Sequence, residues 1–524
     1  MAYETIVVPP VITLRSSTLE YLEAFVDAGG EVIFVGNVAV CCDAELSGRA
    51  AQLAARCRRI DCSETALLDA LRPRRDIEVL QYDNGFPAES LFYQLRESDG
   101  ERFLLIVNTE RNGRGLTSQI RIAGHWQLEY LDTATGECRP LAADRKNAQT
   151  ILTHHFFAHS HLLLRLTPAP ESIGMKLRQP PASDAAVEQA ILTRLDDFSL
   201  PITLDEPNVL VLDQAEWRLG NEAWHAAEEF IRLDNLVRAR LGLRPRTGDI
   251  VQPWASPANQ TILGELALRY RIECAIQVRG AFLALEQPET TTIFLDGKEL
   301  PCLDAGFWCD RAIRKIVLPE LSSGRHELVF LRPYRVDTHI ESAFILGDFG
   351  VEVGGAHTRI IAPIRALHWG DAGCQGLPFY SGNLTYHCEF SLSKTEQVAL
   401  RFPSRSTQIP PQLCNYEAAR ECEFAAFRAV AAGVSVDGTA EQLVAFAPFQ
   451  TSLGTLATGK HTLDITLYGS RVNSFGALHL SWRISWMGPN AWRGKGDYFT
   501  HDYRTRPFGV MLSPLLLREI KKES

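Results

Sequence analysis

The densest group of side chains able to hold a small polar ligand lies near the C-terminus, where Trp482, Trp486, Trp492, Tyr498 and Tyr503 fall close to Arg471, Asn473, His479 and Asp502. Aromatic faces stack on the apolar side of a sugar ring, and planar polar groups fix its hydroxyls, so this mixture suits carbohydrate. The same residues also have structural uses: Trp482 and Trp486 as core plugs, Arg471 with Asp502 as an ion pair, Asn473 in a turn. A second aromatic set, Trp217, Trp224, Trp254 and Trp308, has Asp310 and Arg311 beside its last member.

Hydrolysis of a glycoside needs two carboxyl groups, roughly 5–10 Å apart, one protonated and one ionised. Glu286, Asp296, Asp310, Asp348 and Asp437 qualify by residue type, but Asp296-Gly297 and Asp437-Gly438 read first as hairpin turns. Asp348 reads as a strand-end residue before it reads as a ligand to sugar or calcium. His154, His155, His159 and His161 could share a strand face, yet no carboxylate or cysteine stands at matching spacing, so packing is the simpler use. No GxSxG elbow, Walker loop or GxGxxG is present, and Gly29-Gly30 precedes a strand, the wrong placement for phosphate. No catalytic residue and no metal ligand is assigned, and no cofactor is expected beyond a structural calcium.

With 524 residues the chain is too long for one core and should divide into three or four domains. The net charge of −10 and the lack of a dense basic run argue against nucleic acid. No signal-like N-terminus and no apolar run of membrane length is seen, so no membrane partner is expected. The 12 cysteines are scattered without a CxxC pair, as buried free thiols of a reducing cytoplasm would be, and the location read is cytoplasmic.

Residues 1–80 alternate strand and helix: Thr5 to Val8, a helix from Ser17 with Glu20 as in a capping box, Gly29-Gly30, then Glu31 to Gly36. This is a partial α/β, flavodoxin-like unit with too few strands for a doubly wound sheet. Residues 81–170 have period two and read as a β-sandwich. Residues 171–203 are rich in proline and read as a linker with a short helical pattern, Ala185 to Leu195. Residues 204–350 read as a jelly roll with a helix from about Ala223 to Leu241, and 351–524 as a second jelly roll. The fold class is therefore mainly β and multidomain.

Three segments resemble the C-terminal, non-barrel portion of α-L-rhamnosidase-type glycosyl hydrolases. Tyr3 to Gly36 is similar to the end of their amidotransferase-like domain. Thr292 to Gly350, with FLDGKEL, Phe307-Trp308-Cys309-Asp310, SSGRHELVF and Ile345 to Phe349, resembles their galactose-binding-like jelly roll. Gly459 to Pro514, with GKHTLDITLYGSRVNSFGALHL, Trp486 to Pro489, Ala491-Trp492 and Asp502-Tyr503, resembles their closing domain. In that family the catalytic carboxylates sit on a (β/α)₈ barrel, and no stretch here has its eight-fold alternation. The resemblance implies an accessory, non-catalytic carbohydrate-handling region, with Trp308, Asp310, Arg471, Asn473, His479, Trp486, Trp492 and Asp502 as candidate sugar contacts. It implies as partners a carbohydrate and a separate catalytic barrel chain, or self-association through the N-terminal unit. The alternatives are a stand-alone binding or structural protein, and an active hydrolase with its site between the jelly rolls.

Overall fold

The computed structural model describes residues 3–110, 115–169, 188–196, 198–245, 261–409, 420–425, 427–480 and 499–520. Three parallel strands, Thr5–Val8, Glu31–Val35 and Arg58–Ile60, form the first sheet, with Glu31–Val35 in the middle. The helix Ser16–Asp27 covers it by burying Leu19 and Leu22. A fully buried leucine of this kind contributes about 1.5–3 kcal/mol. The capping box does not form: Arg15 is the N-cap, and the Ser16 amide donates instead to Asp43 Oδ1 at 3.1 Å. The glycine pair ends the helix for two separate reasons. Gly29 has φ +87°, and a Cβ on Gly30 would lie 2.3 Å from the Phe25 ring.

From Ile77 the pairing becomes antiparallel, and two sheets of four and five strands enclose a core that includes Leu104, Ile106, Ile120 and Leu164. Two larger sandwiches follow. The middle one stacks a five-stranded sheet, centred on Phe282–Glu286, on an eight-stranded sheet built around Gly264–Cys274 and Gly324–Tyr334. The C-terminal one stacks four strands on six around Leu384–Leu392 and Gly459–Tyr468.

The stretch read as a linker is different. Glu188–Arg194 is a strand, not a helix, and pairs with the C-terminal strand Leu515–Ile520. Leu200–Leu204 pairs with Leu384–Leu392. The chain thus starts the C-terminal sandwich, leaves it to build the middle one, and returns. Long-range polar bonds lock the crossing: Asp205 accepts from the Tyr380 hydroxyl at 3.0 Å and the Asn383 amide at 2.7 Å, and Asn208 Nδ2 donates to the Gly376 carbonyl at 3.3 Å. Among the described residues parallel pairing is confined to the N-terminal sheet and two short contacts, Thr13–Leu14 with Cys41–Cys42 and Cys274 with Ile360. No closed parallel barrel forms there.

One device occurs in both large sandwiches. Asp296 and Asp437 sit at φ 50° and 49°, each followed by glycine at positive φ, as the hairpin reading predicts. Each aspartate also reaches across to a histidine. His326 Nδ1 donates to Asp296 Oδ2 at 2.7 Å and Nε2 to the Ser322 carbonyl at 2.8 Å, while the Glu327 amide donates to Asp296 Oδ1 at 2.8 Å. The second copy has His461 to Asp437 at 2.7 Å, His461 to the Ala457 carbonyl at 2.9 Å, and the Thr462 amide to Asp437 at 2.9 Å. Both ring nitrogens donate in each copy, which only the imidazolium can do.

Candidate functional site

The strand Asn208–Leu212 is buried at every position, so the residue that follows it, Asp213, is drawn into the interior at 4% exposure. Three groups meet it. Its backbone carbonyl accepts from the Phe230 amide at 2.9 Å, His479 Nε2 donates to Oδ2 at 3.0 Å, and the Tyr503 hydroxyl donates to Oδ1 at 2.8 Å. Glu229 is the N-cap of the helix Phe230–Arg240, and its Oε2 accepts from the Arg232 amide at 3.1 Å. A helix N-terminus favours a carboxylate, but burial wins here. Desolvation pushes the Glu229 carboxyl up to about 7 against its amide hydrogen bonds, and the nearby Asp213 charge acts in the same direction. Burial works against the proton on His479, yet the hydrogen bond and charge of Asp213 outweigh it and raise its pKa above the ordinary imidazole value. Its Nδ1 is buried beside the Thr500 backbone without a hydrogen bond of acceptable geometry among the described residues.

Asp213, Glu229 and His479 line a cavity of about 300 Å³ where the two large sandwiches meet. The middle sandwich contributes Glu286, Glu341 and Ser342 and the Phe230 and Phe344 rings; the C-terminal sandwich contributes Ser474 to His479, including Phe475. A second cavity of about 270 Å³ shares Glu286, Glu341 and Ser342 and adds Arg332, His339 and Gln287. The two adjoin to make a groove, one part acidic and aromatic and the other mixed. Beside it, Arg471 forms a two-pronged ion pair with Glu206, and Trp308 Nε1 donates to Glu206 Oε2 at 3.2 Å. This link ties the two sandwiches at the groove wall.

No family model and no curated protein matches this chain. Among solved structures it is similar to a rhamnosidase from Novosphingobium sp. PP1Y, at 14% identity and TM-score 0.38, over 96% of this chain and 33% of that one. It is also similar to a Streptomyces avermitilis α-L-rhamnosidase complexed with L-rhamnose, at 11% identity and TM-score 0.19, over 84% and 38% of the two chains. An exo-carrageenase from Bacteroides ovatus matches at 16% identity and TM-score 0.20, over 32% and 22%. The chain spans about a third of the length of the Novosphingobium rhamnosidase, and the likeness is coarse.

Of the residues singled out from sequence, Glu286 and His479 line the groove. Trp308 is buried, stacked on Phe475 at 5.2 Å and edge-on to Phe344 at 4.9 Å, so its faces are occupied by protein. Arg471 pairs with Glu206 rather than with Asp502. Asn473 is buried and bridges Arg506, donating to its carbonyl at 2.9 Å and accepting from its amide at 2.8 Å. Asp310 is exposed and accepts from the Ala312 amide at 2.8 Å. Asp502 lies against Gly355 and 3.8 Å from Arg504. Trp486 and Trp492 lie outside the described residues, as do Trp254, Trp482 and Tyr498. Asp348 forms an exposed ion pair with Arg365 on the lining of a separate cavity of about 580 Å³.

His154 packs edge-on against Phe156 at 4.7 Å, and burial lowers its pKa to about 4. Among the described residues no group of three or more His, Cys, Asp or Glu could hold a metal ion, and no helix is long and apolar enough to cross a membrane. The cysteines described are free, but only Cys274 and Cys388 are buried, which corrects the expectation of buried thiols. Asp213, Glu229 and Glu341 were missed by the sequence reading. Glu229 was placed inside a helix that in fact begins one residue later; His225–Glu229 is a strand paired with Gln214–Leu219.

Proposed function

We propose that this chain handles carbohydrate and that its ligand site is the groove between the middle and C-terminal sandwiches. One observation carries the reading. A single cavity joins the aromatic rings of Phe230, Phe344 and Phe475 to the carboxyl groups of Asp213, Glu229, Glu286 and Glu341, and both sandwiches supply walls. The partly exposed rings of Phe230 and Phe475 suit the apolar face of a pyranose, and Glu286 and Glu341 suit its hydroxyls as hydrogen-bond acceptors. Because both sandwiches contribute, the junction locked by Asp205 and Asn208 sets the shape of the site. The three segments that resemble rhamnosidase-type enzymes favour a sugar over other polar ligands of this size. The same resemblance supports work alongside a separate barrel-bearing chain, or self-association through the N-terminal α/β unit.

Titration of the purified chain with neutral monosaccharides and aryl glycosides, L-rhamnose among them, followed by saturation-transfer NMR, tests the site. Binding should weaken about 10-fold or more in Phe475→Leu, which keeps bulk and loses the flat ring, while thermal unfolding stays cooperative. Absence of binding to every sugar, or binding indifferent to Phe475→Leu and to Glu286→Gln, would remove the reading.

A further inference from the structure

We propose that the sugar taken by this groove is an amino sugar, held with its ammonium against Glu286 and its ring against Phe475. The inference rests on the groove being a sugar site and names the class of sugar. Glu286 ends the strand Phe282–Glu286, is half-buried, and lines both of the adjoining cavities. No described residue hydrogen-bonds or ion-pairs with its carboxylate, and Arg332 acts on it only through space. A carboxylate half out of water without a bonded partner is a place for a donor, and a charged donor makes the stronger bond.

The charges around Glu286 leave room for a cation and none for an anion. Asp213 is answered by His479, and both are buried. Glu286 and Glu341 are shared by the two cavities, and the one permanent cation among the described lining residues is Arg332. That guanidinium is turned to the His339 carbonyl at 3.3 Å and to Gln287 Oε1 at 3.4 Å. Of the two glutamates Glu341 acts on Arg332 the more strongly, so the charge of Glu286 is the one left over. A ligand with a single positive charge closes the balance.

The rest of the lining suits a sugar ring that bears that charge. Phe475 is half-buried and has one face on Trp308 at 5.2 Å, which leaves the other face, and half-buried Phe230 comes from the middle sandwich. An aromatic face attracts a cation as well as the apolar side of a sugar. His479 is 6% exposed, lines the same cavity, and completes no hydrogen bond at Nδ1 among the described residues, so a ligand with oxygens has a polar group to meet. A plain amine answers Glu286 and leaves His479 unmet; a neutral sugar does the reverse. A cavity of about 300 Å³ is at the small end of ligand pockets and fits one ring.

Calorimetry on the full chain compares methyl α-L-rhamnoside and methyl α-D-glucoside with their analogues in which each hydroxyl in turn is exchanged for ammonium, with the N-acetyl forms of those amines, and with cyclohexylamine. At least one amino glycoside should bind about 10-fold or more tighter than its parent and its N-acetyl form, and salt at about 0.5 M should shrink that margin. Glu286→Gln should erase the margin between the amino glycoside and its parent, whatever each loses. If that variant does not fold, the salt series on the wild-type chain decides: a margin that salt leaves unchanged overturns the assignment. Parent and amino glycosides that bind alike overturn the inference and leave the sugar site standing. Cyclohexylamine binding as tightly as the amino glycoside overturns the sugar reading as well, and binding by none of the probes sinks both.

Discussion

Among the described residues aspartate and histidine meet four times in the two large sandwiches; His387–Asp464 is a half-exposed cross-strand pair, and the other three meetings divide into two kinds. At Asp296–His326 and Asp437–His461 the aspartate side chains are 47% and 43% exposed, and both ring nitrogens of each histidine are satisfied. At Asp213–His479 the two side chains are 4% and 6% exposed, Nδ1 has no completed bond, and a carboxyl titrating near 7 lies close by. The first kind staples a turn to a strand and is finished. The second holds charge in the buried wall of a cavity, where each lost partner leaves a desolvated group. The surroundings, not the residue pair, separate a structural clamp from a site.

The sharpest way to break that distinction is to remove the aspartates one at a time. Asp213→Asn leaves a buried imidazole and a tyrosine hydroxyl facing an uncharged group, and it should cost about 3–5 kcal/mol. Asp296→Asn and Asp437→Asn act at half-exposed carboxylates, where screening leaves about 1–2 kcal/mol. Denaturant unfolding of the three variants at neutral pH gives the ranking. Equal losses would mean that the cavity pair is only a third clamp.

Next in size is a change whose sign differs between the two kinds. The Glu229 pKa is raised by folding, so the folded protein holds a proton that the unfolded chain releases, and stability falls as pH rises from about 4.5 to about 7. Glu229→Gln removes that penalty and should stabilise the protein by about 2 kcal/mol at pH 8, with little gain at pH 5. In the clamps folding raises the histidine pKa values and lowers those of the aspartates. Their stabilisation is full between about pH 4 and 6.5, and it is lost above that as pH passes the raised histidine values and below it as pH passes the lowered aspartate values. Asp437→Asn should therefore destabilise at pH 6 and flatten the profile. Urea midpoints of both variants at pH 5, 6 and 8 check the opposite signs.

The clamps and the cavity differed in how far the sequence announced them. Asp296-Gly297 and Asp437-Gly438 were legible as turns because a hairpin is a local event, encoded in adjacent residues. Their histidines lie 30 and 24 positions further on, and the shared pattern of SSGRHEL and ATGKHTL shows itself only when the bonds are laid side by side. The sandwich from residue 81 was readable from period two, while its strand Ile77–Gln81 fell in the stretch read as α/β. Glu188–Arg194 was not readable, since its partner is the last strand of the chain. The groove depends on still longer reach: His479 and Asp213 are 266 residues apart, and Tyr503 and Asp213 are 290 apart. Glu229 hid in a run of glutamates that suited a helix equally well. Asp213 was only the end of an apolar strand until the C-terminal segment closed over it.

The smallest expected effect separates the two clamps from each other. They match in backbone and in all three hydrogen bonds, and Gly324 and Gly459, two residues before each histidine, share φ values of +135° and +132° with open space where a Cβ would stand. Two contacts differ: the Thr462 hydroxyl donates to Asp437 Oδ1 at 3.4 Å where Glu327 has no hydroxyl, and the His461 ring stacks on Phe390 at 5.3 Å and 28°, whereas His326 has no such ring partner among the described residues. Stacking of this kind adds about 0.5–1.5 kcal/mol beyond the area it buries, and partial exposure pulls the value toward the lower end. His461→Ala should thus cost about 0.5–1 kcal/mol more than His326→Ala, and in a Phe390→Leu background the two costs should converge. A double-mutant cycle in denaturant measures the difference. Convergence would assign the difference to the ring contact, and a gap that persists without Phe390 would point to the extra Thr462 hydroxyl bond or to the sheets themselves.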